Sequence, residues 1–157
     1  MYDFLDRPVG SLNVGGRVLV WSMRQWVRSA EAGRCACSDV GPAFHHWGLL
    51  AGLSHFQLMM VTLARNAREK MTFCDPDCGC IGDSEALLLE MFCTLRERGE
   101  PVFRETAELV VHDRAVTPLF TAVSALGRAL DSREIYPERV QRDDVLKDIW
   151  RSSGDGR

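Results

Sequence analysis

The sequence lacks any uninterrupted apolar stretch of the roughly 18 to 20 residues that are needed to cross a bilayer. It also lacks the pattern of a secretory leader, because residues 1–8 contain two acids and a proline where a leader has a positive start and an apolar run. We therefore expect a cytoplasmic protein without a membrane anchor. In that reducing compartment, clustered cysteines more often bind metals or act in redox chemistry than form structural disulfides, although the even count of six cysteines keeps a disulfide framework as an alternative.

The sequence also lacks the common signatures of nucleic-acid binding and of catalysis. A net charge of -3 and a pI near 5.8 give no general attraction to nucleic acid, so we do not expect that class of partner. Residues 15–17 have neither the full glycine fingerprint nor the preceding strand of a phosphate-binding loop. No serine, histidine and acid arrangement and no paired-carboxylate pattern follows from the spacing. The sequence therefore favours a non-enzymatic protein and leaves an enzyme open.

The composition is that of an ordinary globular domain. With 157 residues, of which 46% are hydrophobic and 26% charged, the chain is long enough to bury one core. We predict an N-terminal loop over 1–16, a helical domain over 17–131 and a charged C-terminal segment over 132–157. Apolar residues in that last segment predict a short amphipathic helix, namely Val145, Leu146, Ile149 and Trp150.

Hydrophobic periodicity predicts an all-α fold, a compact bundle of about five helices with a cysteine-rich loop between the third and the fourth. The first helix spans 17–32, and its arginines, Arg17, Arg24 and Arg28, form a face that we interpret as solvated. A second helix starts at Ser38 or Asp39 and a third covers 54–68; glycines between them break the pattern.

Further helices are predicted after the cysteine-rich loop. A start at Asp83 is indicated by its acidic and hydroxyl-bearing first turn. Residues 101–112 favour a helix, with a strand as the alternative. Thr117 as cap and Pro118 in the first turn predict the last helix, which runs to about Asp131.

Five of the six cysteines fall into two clusters, Cys35 with Cys37 and Cys74 with Cys78 and Cys80. If the first three helices run up, down and up, both clusters lie at one end of the bundle. Four thiolates, drawn from Cys35, Cys37, Cys74 and either Cys78 or Cys80, could then close a tetrahedral zinc site. Gaps of one, three and one residue differ from a zinc ribbon and from ferredoxin spacings, so an iron–sulfur or copper site and a metal-free cluster stay open as alternatives.

The sixth cysteine, Cys93, lies in the middle of an apolar helix face. A small apolar side chain would suit such a position as well as a thiol does. We therefore predict that Cys93 is a buried and unreactive thiol.

The order of these features resembles an uncharacterised family of small, mainly alphaproteobacterial proteins that is defined as a domain of unknown function. The likeness covers residues 17–98 and lies in three motifs: LVWSMR at 19–24, LMMVTLAR at 58–65 and DSEALL at 83–88, with the cysteine-rich turn before the last. The resemblance implies a small helical cytoplasmic protein and supplies no activity.

Two functional hypotheses follow from the clustered thiols. The first is a regulatory or protein-interaction module whose fold is clamped by structural zinc and whose partner is a protein. The second is a thiol-based redox or metal sensor, with an iron–sulfur cluster as one version. Neither hypothesis names a substrate, and the sequence leaves the oligomeric state open.

Overall fold

A computed structural model describes residues 3–139, and over that range the fold contains six α-helices and no strand. The all-α prediction is confirmed, while the predicted number of about five helices is one too few. The helices are α1 (Val14–Glu31), α2 (Ala36–His46), α3 (Leu53–Asn66), α4 (Asp83–Arg98), α5 (Glu100–Val110) and α6 (Asp113–Ser132). The connection 67–82, between α3 and α4, holds three of the cysteines.

The first helix starts three residues before the predicted position because Asn13 caps it. The Asn13 side chain accepts a hydrogen bond of 2.9 Å from the Gly16 amide, which satisfies one of the free amides at the helix start. Gly33, just beyond the end of α1, has a φ of +69°, the left-handed conformation that glycine adopts at little cost. The N-terminal residues that were predicted as a loop thus include the first residues of α1.

The second helix starts at Ala36, with Cys35 at the capping position, and the predicted caps Ser38 and Asp39 lie inside it. Asp39 has a different role. Its carboxylate accepts hydrogen bonds from the Ser29 hydroxyl at 2.5 Å and from Arg34 Nε at 3.1 Å. The prediction of Asp39 as a cap is therefore wrong. Its carboxylate instead connects the first turn of α2 to the end of α1 through hydrogen bonds.

The last helix begins at Asp113, four residues before the predicted start at Thr117, so that Pro118 lies inside α6. Proline has no backbone N–H, so the carbonyl one turn before Pro118 lacks its helical hydrogen-bond donor. Because Pro118 is exposed, water can bind that carbonyl instead. The strand alternative for residues 101–112 is wrong, because residues 101–110 belong to helix α5. Val111, just after the end of α5, forms an isolated bridge with Ala67.

The core lies around α6, which packs most extensively against α3. Phenylalanine rings from several helices fill it, and Phe44 and Phe56 pack with their centroids 5.3 Å apart. Five phenylalanines are fully buried: Phe4, Phe44, Phe56, Phe92 and Phe103. Shape-matched packing of this kind requires no metal or disulfide to hold a domain of this size.

The chain folds back over the bundle after α6. The Tyr136 hydroxyl donates to the Phe92 carbonyl at 2.6 Å, and Asn13 Nδ2 donates to the Tyr136 carbonyl at 2.7 Å. Arg139 pairs with three carboxylates, those of Asp3, Glu90 and Glu97.

The amphipathic helix predicted around Val145 lies outside the described residues. Among the helices of residues 3–139, none combines the length and apolar character that a membrane span requires.

Candidate thiol site

Residues 74–80, which we call the cysteine loop, are held from the outside by the N-terminal segment. The Val9 amide donates to the Gly79 carbonyl at 2.8 Å, and the Ile81 amide donates to the Arg7 carbonyl at 2.9 Å. The Asp6 amide completes the pairing with a hydrogen bond of 3.1 Å to the Ile81 carbonyl. A short antiparallel contact thus fixes the second half of the loop.

A buried ion pair holds the same loop from the inside. Arg24 of α1 donates from Nε to Glu85 Oε1 at 2.7 Å and from a terminal nitrogen to Oε2 at 2.9 Å. The two side chains are 3% and 0% exposed. The hydrogen bond and the charge of Glu85 raise the pKa of Arg24, against the opposing effect of burial. An arginine fork on a carboxylate is a strong and directional pairing.

The remaining atoms of the pair bind the loop backbone. Arg24 donates to the carbonyls of Cys78 at 2.6 Å and Cys80 at 2.7 Å. Glu85 accepts from the amides of Cys74 at 3.1 Å and Gly82 at 2.9 Å. Each loop cysteine therefore offers a backbone group to the buried pair, which compensates the cost of burying two charges.

Cys74 and Cys78 form an adjoining pair of thiols. Cys74 is half-buried whereas Cys78 is exposed, and the Cys78 thiol donates to the Cys80 carbonyl at 3.5 Å. Desolvation raises the pKa of Cys74, with further contributions from the Glu85 charge and from Cys78, and the Arg24 charge opposes them. Gly82 leaves room for this thiol, because an added Cβ would lie 2.9 Å from Cys74 Sγ.

Cys35 and Cys37 form a second adjoining pair at the start of α2. Cys35 is exposed, and hydrogen bonds from the Ser38 backbone and side chain lower its pKa. Cys37 is half-buried, and desolvation together with the neighbouring Cys35 raises its pKa. The lowered pKa fits the position of Cys35 at a helix N-terminus, where free amides favour a thiolate.

The five clustered thiols are therefore arranged as two pairs and Cys80, whose exposed thiol lies on the loop. Within residues 3–139, no three or more histidine, cysteine, aspartate or glutamate side chains are grouped so that they could hold a metal ion. The cysteine loop contacts α1 at Arg24, whereas Cys35 and Cys37 follow the end of α1 at Glu31. The seven residues from Arg24 to the helix end correspond to about 10 Å of helix rise. Zinc and iron–sulfur ligation by these cysteines stay predictions.

Arg24 is the residue of this site that the sequence interpretation missed. The sequence pattern predicts one solvated face for Arg17, Arg24 and Arg28; Arg17 and Arg28 are exposed, but Arg24 is buried. One sequence feature could have indicated that Arg24 is buried. It lies next to Met23 and four residues after Val20, so it shares a helix face with apolar residues that are buried. The predicted burial of Cys93 is confirmed, since that thiol is 2% exposed, and burial raises its pKa to about 12; its lack of reactivity stays a prediction.

No family model, no curated protein and no solved structure matches this chain. The resemblance to the alphaproteobacterial family stays a prediction.

Proposed function

We propose that this chain is a small helical regulatory module that senses oxidants through the thiols of Cys74 and Cys78. The supporting observation is that these two thiols share a short surface loop whose backbone is bonded at both cysteines to a buried ion pair; the nearby Cys78 thiol also contributes to the raised pKa of Cys74. Such a loop holds two sulfur atoms next to each other while one of them stays accessible. We favour the sensor hypothesis over the structural-zinc hypothesis because the Arg24–Glu85 ion pair already holds the loop in place without a metal.

The proposed reaction is the two-electron oxidation of the pair by a peroxide. The Cys78 thiolate attacks one peroxide oxygen, the O–O bond breaks, and a sulfenic acid forms while hydroxide or an alkoxide leaves and takes a proton from water. The Cys74 sulfur then attacks the Cys78 sulfur and displaces the hydroxyl, which leaves as water with the Cys74 proton. The products are one disulfide, one water from the disulfide step, and a second water or an alcohol from the peroxide. Cys78 takes the first step because it is exposed, whereas the pKa of Cys74 is raised.

The ion pair connects this reaction to the helices. The Cys74 amide and the Cys78 carbonyl are bonded to Glu85 and Arg24, so a new covalent bond between the two side chains changes the backbone that the pair holds. Glu85 belongs to α4 and Arg24 to α1. Oxidation would thus alter the loop surface and its anchoring together, which is how a protein partner would distinguish the two states.

Peptide mapping after limited oxidation tests the proposal. Reduced protein is treated with hydrogen peroxide, free thiols are alkylated, and disulfides are assigned by mass spectrometry. We expect a Cys74–Cys78 disulfide and the loss of two free thiols. Cys74→Ser and Cys78→Ser should abolish it, while the matched variant Cys80→Ser should form it at the normal rate.

Two results would overturn the proposal. The first is peroxide treatment that leaves all thiols free in protein shown to be metal-free and reduced. The second is a dominant bond between Cys35 and Cys37, between Cys78 and Cys80, or between chains, with Cys74 left free. Iron in elemental analysis, with visible absorption after anaerobic purification, would replace peroxide sensing by the iron–sulfur version of the sensor hypothesis.

A further inference from the structure

A surface groove of about 280 Å³ lies between the start of α4, the end of α5 and residues 69–72 of the connection. Its apolar walls come from Met71, Leu87, Leu109 and Val110. Leu109 is 80% exposed, the highest fraction among the large hydrophobic side chains of residues 3–139. The volume is just below the lower limit of about 300 Å³ that is typical of small-molecule sites, so a few side chains of a docked segment would fill the groove.

One side of α4 leads from this groove to Arg139. Four residues spaced by four, three and seven positions share that side, namely Asp83, Leu87, Glu90 and Glu97. The first two line the groove, whereas the last two pair with Arg139. Residue 139, the last one that the structure describes, is therefore fixed on the helix face that begins at the groove.

The chain that follows Arg139 is long enough to reach the groove. Residues 140–157, which we call the tail, follow it directly. Asp83 and Glu90 are separated by about 10 Å of helix rise, and six extended residues span up to about 20 Å. The apolar residues of the tail can therefore lie in the groove while Arg139 keeps its ion pairs.

The tail has an apolar face with one cation near its centre. The amphipathic helix that the sequence predicts there has four apolar residues on one side, namely Val145, Leu146, Ile149 and Trp150. Arg142 shares that side, because it precedes Leu146 by four residues and Ile149 by seven. The aspartates at positions 143, 144 and 148 lie about 90° or more from the centre of the apolar face.

The charges of the groove are complementary to this face. Glu69 and Asp83 contribute two carboxylates, and Lys70 contributes one cation, so the groove favours a further cation such as Arg142. Another groove, lined by α1 and α3, shares residues 69–71 with this one but includes no residue of α4. The position of Arg139 on α4 therefore favours the groove at the start of α4.

We propose that the tail docks in this groove of its own chain. Its apolar face lies against Leu87 and Leu109, and Arg142 lies beside Asp83. Thr72, which lines the groove, is two residues before the cysteine loop, so the docked tail covers the surface next to the candidate thiol site. The docking requires no thiol chemistry and can be tested on protein whose cysteines are all kept reduced.

Nuclear magnetic relaxation of the full, reduced, ¹⁵N-labelled chain measures whether the tail is docked. We expect backbone order parameters of about 0.85 for residues 145–150, the value of a rigid backbone, against less than about 0.6 for an undocked tail. Leu109→Gln should lower them toward the undocked value, because it removes an apolar contact of the groove. Leu50→Gln is the matched control, since Leu50 is also an exposed leucine but does not line the groove.

Substitutions in the tail test the same contact from the other side. Trp150→Ser should lower the order parameters of the tail and shift the amide resonances of Leu87 and Val110, which line the groove. Asp148→Ser, outside the apolar face, is the matched control and should leave both unchanged. Urea unfolding of all four variants shows that they are folded.

Three results would overturn the proposal. They are tail order parameters below about 0.6 in the unaltered chain, equal effects of Trp150→Ser and Asp148→Ser on the groove resonances, and order parameters that fall when the protein is diluted. The last result would assign the groove to the tail of a second copy of the chain.

Discussion

Arg24 and Glu85, separated by 61 positions in the sequence, form a fully enclosed two-bond ion pair that also binds the backbone of the cysteine loop. Breaking such a pair leaves a charge without its partner in the interior, which costs more than the pair itself contributes. A single substitution in the pair should therefore destabilise the fold strongly.

Arg24→Met should lower the free energy of unfolding by about 3 to 5 kcal/mol, because Glu85 would stay buried without its counter-ion. Urea denaturation of the reduced protein measures this change. Arg28→Met, an exposed position one turn further along α1, is the matched control and should change stability by no more than about 0.5 kcal/mol. Similar midpoints for the two variants would contradict the role that we give to the pair.

Gly15→Ala should destabilise the fold by about 3 kcal/mol or more, since overpacking against backbone is poorly accommodated. An added Cβ at Gly15 would lie 1.5 Å from the Ile135 carbonyl oxygen. Gly10→Ala serves as the control, because a Cβ there would meet nothing within 4 Å. Thermal unfolding of both variants checks this prediction, and a Gly15→Ala protein as stable as the control would show that residue 135 does not pack on α1.

Stability should fall as the pH rises above about 9. Burial raises the pKa of Cys93 from its ordinary value of 9.0 to about 12, and burial also raises the pKa of Tyr136. Between pH 9 and 12 the unfolded chain binds fewer protons than the folded one, so the free energy of unfolding decreases with pH. The stabilisation is fully present below about pH 9.

Urea midpoints at pH 8 and pH 10.5 measure this decline. Cys93→Ala should show a shallower decline, because one of the two groups with a raised pKa is removed. A variant that declines as steeply as the unaltered protein would exclude Cys93 as a contributor.

Chelation should leave the reduced protein folded. Arg24 and Glu85 hold the cysteine loop through the protein's own hydrogen bonds, so we expect unchanged far-ultraviolet circular dichroism and an unchanged urea midpoint after zinc is removed by a strong chelator. Elemental analysis before and after treatment is the control. Zinc near one atom per chain, with helicity lost on its removal, would instead support the structural-zinc hypothesis.

The sequence predicted the helices well where periodicity and end signals agreed. Asp83 begins α4, as its acidic and hydroxyl-bearing first turn predicts. The start of α6 was misplaced because Thr117 and Pro118 make a strong local start signal that tertiary packing overrides. Packing of Ala115 and Val116 into the core extends the helix backward.

The candidate site was predicted only in part. Clustered thiols identified the loop, but their pairing depends on where the backbone places them, and the partner of Arg24 lies far along the chain. A single sequence contains no signal for such a contact. The same limit applies to Asp39, whose carboxylate binds Ser29 across a helix junction and does not cap its own helix.

The pairing of residues 6–9 with residues 79–81 has a consequence for folding during synthesis. This segment and Arg24 emerge from the ribosome before any of their partners exist, because the loop and Glu85 are translated later. The first helix therefore cannot complete its burial until α4 has begun to emerge. A nascent chain stalled before residue 78 would carry an unpaired Arg24 and an unpaired N-terminal segment, and would depend on chaperones until elongation resumes.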